Sequence, residues 1–166
     1  NALRSDALQG GSWVRADEGS KYEAFLNPLG KLLLGHVPEH FPTPVVDANG
    51  YQCLVEGSSG DGGSIIGCLS ALAAAAGDEQ LWKPLNHAVL QACDDDGRSE
   101  VRRAGLLCLL ELMKSLGEEY MVLLPENLPV LAELLEDTNE EVAGLAKQVV
   151  SLAEELTGES LEDSLR

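Results

Sequence analysis

Residues 81–117, LWKPLNHAVLQACDDDGRSEVRRAGLLCLLELMKSLG, decide the fold, because their pattern returns 41 residues later as VLLPENLPVLAELLEDTNEEVAGLAKQVVSLAEELTG at 122–158. In that register Pro84 falls on Pro125, Asn86 on Asn127, Val89 and Leu90 on Val130 and Leu131, Val101 on Val142, and Gly117 on Gly158. Gly77 stands one residue off the same ladder. The shared residues are helix punctuation. Proline is tolerated in a first helical turn, which is where Pro84 and Pro125 are expected. Glycine suits the left-handed residue just past a helix end, where Gly77, Gly117 and Gly158 follow apolar segments. Thr138 and Glu141 have the spacing of a capping box. The helix they open would carry Val142, Leu145, Ala146, Val149, Leu152, Ala153 and Leu156 on one face. The segment 99–116 is apolar over a wider arc, as a helix with neighbours on several sides should be.

Outward from this core, the punctuation predicts five helices at about 64–76, 80–92, 99–116, 121–136 and 140–157. Short polar turns, Asp94-Asp95-Asp96-Gly97 and Asp137-Thr138-Asn139, join them as antiparallel hairpins. A two-helix unit with a period near 41 lies in the range of HEAT and armadillo repeats. The expected fold class is therefore all-α, an α-α superhelix of antiparallel helix pairs. The run from Asp96 to Val101-Arg102 matches the D-x-x-x-x-V-R turn of HEAT units, and Ala143 replaces the arginine in the second unit. Residues 64–166 are read as C-terminal HEAT repeats and 1–63 as a poorly defined N-terminal segment. Within that segment, 21–35 reads as one or two short helical pieces interrupted by Pro28 and Gly30, 51–55 as a short strand, and 56–64 as a Gly/Ser-rich linker.

Composition narrows the function. The chain has 166 residues, 11 Lys and Arg against 28 Asp and Glu, and a net charge of −17. Residues 117–166 hold 13 of the acids and only 2 bases, so acidity belongs to the C-terminal end. Such a chain is poorly suited to sequence-independent binding of phosphate backbones. No apolar run is long enough to span a membrane, so no membrane partner is expected. The sequence begins with Asn1, and its first residues do not read as a signal peptide, so a piece of something longer is expected. Cys53, Cys68, Cys93 and Cys108 form no C-x-x-C and sit in apolar company, as reduced core thiols do.

Few residues point to chemistry. The loop at 57–64 has the G-x-x-x-x-G spacing of a phosphate loop, but Gly63 stands where its lysine must be, and Asp61 adds a carboxylate. A nucleotide-dependent enzyme rests on that defective loop alone, so no catalytic residue and no cofactor are assigned. His36 and His40 have ligand-like spacing broken by Pro38, and no metal is assigned. His87 lies on a predicted helix without a nucleophile motif. Glu118-Glu119 and Glu140-Glu141 open helices, where acids suit the macrodipole. The basic cluster Arg98, Arg102 and Arg103 is expected to pair with Asp94, Asp95, Asp96 and Glu100. Those three arginines, together with Trp82, are the candidate contacts to a partner or RNA.

Several blocks also carry a family resemblance. They are Leu81-Trp82-Lys83-Pro84-Leu85-Asn86, Val101-Arg102, Glu119-Tyr120-Met121-Val122-Leu123-Leu124-Pro125-Glu126, the run from Leu131 to Asp137, Glu140-Glu141-Val142, and Gly158-Glu159-Ser160-Leu161. In order and spacing they resemble the extreme C-terminus of the HEAT repeat-containing protein 1 / U3 small nucleolar RNA-associated protein 10 family, over about 65–165. The resemblance implies a segment of a long, non-catalytic solenoid of the small-subunit processome. It implies scaffolding of nucleolar pre-ribosomal RNA transcription and processing and of small-subunit assembly, through protein–protein contacts. The implied partners are other processome subunits in a large ribonucleoprotein. Pre-ribosomal RNA and U3 snoRNA would be reached through the assembly rather than mainly through this segment. The implied location is the nucleus and nucleolus. A HEAT adaptor of another pathway, such as nuclear transport, is the alternative within the same class.

Overall fold

The structure is a computed structural model that describes residues 20–35, 45–46, 52–53 and 65–165. Its helices are α1 (Ser20–Gly35), α2 (Ile65–Ala76), α3 (Glu79–Cys93), α4 (Ser99–Leu116), α5 (Leu124–Leu135) and α6 (Glu140–Thr157). A 3-10 segment, Gly117–Leu123, leads into α5. Between α1 and α2, strands β1 (Val45–Val46) and β2 (Gln52–Cys53) pair antiparallel, with Val45 opposite Cys53 and Val46 opposite Gln52. β2 falls inside the strand expected at 51–55 and lies against α4. Residues 65–165 contain no strand.

The all-α solenoid expected from the ladder is what forms. Short turns fold α3 back on α4 and α5 back on α6 as antiparallel hairpins. Helix α3 lies between α1 and α5 in one layer, and α4 lies between α2 and α6 in the other. Helix α4 touches α2, α3 and α6, and ten of its residues are buried. The apolar arc read from its sequence is thus a contact surface for neighbours on several sides, the 3-10 segment and α1 among them. Gly77, Gly117 and Gly158 all have positive φ, at 55°, 61° and 71°. A side chain would strain those turns, which is why the ladder carries glycine at its helix ends.

Four local expectations change. First, α1 runs unbroken through Pro28 and Gly30. Tyr22, Leu26 and Leu33 join the common core, and at Gly30 α1 passes Ala88 of α3 at a distance where a Cβ would make an ordinary 3.5 Å contact. Tertiary packing outweighs the one hydrogen bond that Pro28 cannot donate. Second, Pro84 sits inside α3, which begins at Glu79 under an Asp78 cap, and not in its first turn. Third, the backbone ahead of Pro125 tightens to 3-10 over 117–123, so only Pro125 occupies a first turn. Fourth, the cap of α6 is Asn139 and not Thr138: the Asn139 Oδ1 accepts from the amides of Glu141 and Val142 at 3.0 and 3.2 Å. Asparagine is among the best capping residues, and it reaches both free amides from that place.

Candidate interaction surface at the turn edge

The two interhelical turns lie side by side, and the arginines of α4 fasten them. Arg102, one turn into α4, forks onto Asp137 of the next unit, with Nε to Oδ2 at 2.7 Å and an Nη to Oδ1 at 3.1 Å. Its other Nη donates to the Asp95 carbonyl at 2.8 Å. Both side chains are largely buried, at 15% and 8% exposure. A two-pronged, charge-assisted pair of this kind fixes orientation as well as adding energy. Asp137 also accepts from the Asn139 amide at 2.8 Å, so one carboxylate holds the arginine and shapes the turn that starts α6. Burial pushes the Asp137 carboxyl up, but the Arg102 and Asn139 hydrogen bonds win and hold it below its ordinary value.

Arg103 reaches Glu141 at 2.8 Å, and here both side chains stay open to solvent. Arg98 pairs with Asp95 at 2.6 Å within its own turn. That hydrogen bond lowers the Asp95 carboxyl, and the same contact raises the Arg98 guanidinium. Of the three arginines, only Arg98 takes a carboxylate from the set expected at 94–100. Arg102 and Arg103 take theirs across the unit boundary, because α4 and α6 stand side by side in one layer. A cleft of about 290 Å³ opens beside these pairs. It is lined by Asp94, Asp95, Asp96, Glu133, Glu136 and Asp137 around Arg102, with Cys93, Val130 and Leu134 as its apolar part. Six carboxylates against one engaged guanidinium attract cations and repel phosphate.

Trp82 is inside the fold. The residue is 4% exposed, its Nε1 donates to the Ala73 carbonyl at 2.9 Å, and its ring meets Tyr120 edge-on at 6.3 Å between centroids. Tyr120 in turn donates from its hydroxyl to Asn86 Oδ1 at 2.6 Å, and Asn86 Nδ2 donates to Asn127 Oδ1 at 2.8 Å. All three side chains are fully buried, and burial pushes the Tyr120 phenol well up. The two asparagines that coincide in the ladder therefore touch. Repeat-equivalent positions on stacked helices face each other, so two polar residues sharing a register on apolar faces were the signal for this bond.

The remaining candidates are dispersed. His87 is exposed on α3. Cys93 and Cys108 are buried, Cys68 is half-buried, and none of the three is in a disulfide. His36, His40 and the phosphate-like loop at 57–64 lie outside the described residues. Among the described residues no group of three or more His, Cys, Asp or Glu is arranged to hold a metal ion, and no helix is long and apolar enough to cross a membrane.

No protein-family model matches the chain. Curated proteins do. An uncharacterized protein of Arabidopsis thaliana is 43% identical over 104 residues, which is 61% of this chain and 5% of that protein. Human HEAT repeat-containing protein 1 is 41% identical over 98 residues, 59% of this chain and 4% of its own length. U3 small nucleolar RNA-associated protein 10 of Chaetomium globosum is 33% identical over 157 residues, 91% of this chain and 9% of its own length. The chain thus spans a small fraction of the relatives it matches. Its resemblance is to a segment of HEAT repeat-containing protein 1 and of U3 small nucleolar RNA-associated protein 10.

Proposed function

We propose that this chain is a non-catalytic scaffold segment of a ribosome-biogenesis protein, working in the nucleolus as part of the small-subunit processome. The observation that carries the reading is the 33% identity to U3 small nucleolar RNA-associated protein 10 across 91% of the chain. The surface supports contact with proteins over contact with RNA. Its net charge is −17, and each arginine of the turn edge already holds a carboxylate. Pre-ribosomal RNA and U3 snoRNA are then reached through the assembly, and the nearest neighbours are other subunits with basic surfaces. Among the candidate contacts, Arg98 and Arg103 stay 45% and 37% exposed and remain open to a partner, while Arg102 and Trp82 serve the fold.

The test is a co-purification from nucleolar extract with the tagged chain, run beside filter binding to pre-ribosomal leader RNA. Capture of processome proteins in a salt-sensitive manner is expected, because exposed charge pairs are screened beyond about 8 Å at physiological ionic strength. Tight RNA binding that is lost on Arg98→Glu plus Arg103→Glu would overturn the assignment.

A further inference from the structure

The 41-residue register allows α4 and α6, neighbours in one layer, to be compared position by position. On α4, Arg102 and Arg103 point across the unit boundary to Asp137 and Glu141. Leu106, Leu110 and Met113 continue that stripe at helical spacing and are 0%, 1% and 0% exposed. The equivalent stripe of α6 reads Ala143, Gly144, Lys147, Ser151 and Glu154. Both cross-unit cations are gone, and the three buried apolar residues have become polar. Lys147 and Ser151 are exposed, and Glu154 is half-buried. By contrast, the inward stripe is kept: Val101, Ala104, Cys108 and Leu112 match Val142, Leu145, Val149 and Ala153, all buried. The change is therefore confined to the face on which another helix pair would stack.

The segment after α6 uses that face. Past Gly158 the chain turns back, Leu161 is buried in the common core, and its amide donates to Glu154 Oε1 at 2.8 Å. Glu154, which replaces a core methionine, thus anchors the returning strand of chain.

We propose that the outer face of α6, together with residues 158–165, is a cap that closes the helical stack. It covers the core with Lys147, Ser151, Glu154 and Glu162 around a shallow groove of about 500 Å³, whose apolar walls are Leu135, Val150 and Leu165, and is built to receive no further helix pair, as the polar outer face of a terminal solenoid repeat is. The proposal concerns this chain's own stacking and does not depend on which assembly the chain serves. Two measurements on the full-length protein test it. In amine-reactive labelling, Lys147 should react within about twofold of Lys83, a lysine of α3 whose pair with Glu79 is open to solvent, since both ammonium groups would be accessible from water. Protection of Lys147 while Lys83 reacts would overturn the cap. Restoring α4-type residues with Lys147→Leu plus Ser151→Leu, which keeps Glu154 and the folded-back segment, should turn the face adhesive and shift sedimentation toward a larger species than the parent. Unchanged sedimentation of a folded variant would also overturn the cap, and if that variant does not fold, the labelling alone decides.

Discussion

Gly105 of α4 and Gly144 of α6 both sit inside helices, yet alanine should act on them in opposite directions. A Cβ on Gly105 would stand 2.7 Å from Cys93 Sγ, 2.8 Å from Cys93 N and 3.2 Å from Ala92 C. Two of those atoms are backbone and cannot rotate away, so α3 and α4 must separate. Gly105→Ala is expected to cost about 1–3 kcal/mol despite its better helix propensity. A Cβ on Gly144 meets nothing within 4 Å, so Gly144→Ala should stabilise by about 0.5–1 kcal/mol. Denaturant midpoints check both, and equal shifts for the two variants would contradict the close α3–α4 crossing. The arginines form a second contrast. Arg102→Ala strands a largely buried carboxylate and should cost about 1–3 kcal/mol, whereas Arg103→Ala breaks a solvent-open pair and should change stability by less than about 1 kcal/mol. Comparable losses for both would mean that burial does not set the strength of these pairs.

At the scale of helices, the core stripe explains where truncation hurts. Leu109 of α4 is 0% exposed and Leu134 of α5 is 5% exposed, as expected from their apolar registers. Leu109→Ala and Leu134→Ala should each cost about 2–4 kcal/mol, and unfolding curves that match the parent would place them outside the core. Helix α4 was legible to the residue because both its ends are marked: Ser99 follows a polar turn and Gly117 supplies the left-handed stop. The start of α5 was less legible, since the shift from 3-10 to α across 117–124 satisfies the same apolar pattern either way. Helix α1 was read as broken because Pro28 and Gly30 are local signals, while its continuity comes from α3 and from the Tyr22, Leu26 and Leu33 contacts. Of the turn edge, the arginines were visible as a cluster but their partners were not. Sequence proximity favoured Asp94 to Asp96, and only stacking brings Asp137, 35 residues away, within reach of Arg102.

For the molecule as a whole, the titration of two aspartates contributes to its behaviour in acid. Asp95 and Asp137 are both held below the ordinary carboxylate range in the folded state. A depressed folded value stabilises above the unfolded value of about 3.9 and is lost as pH falls through the folded one. Stability attributable to these pairs should therefore be constant from neutral pH down to about 5 and fall below about 4, with a shallower acid limb for Asp137→Asn. Parent and variant curves that superimpose in acid would remove Asp137 from the account. The same carboxylate bears on mechanics. Arg102–Asp137 ties the units at their rim, and Asn86–Asn127 ties them again inside the opposite layer. Two fastenings that do not share a line resist hinge opening and sliding together. This joint is consequently expected to be stiffer than one fastened at a single point, so that bending of a longer array would concentrate at other joints.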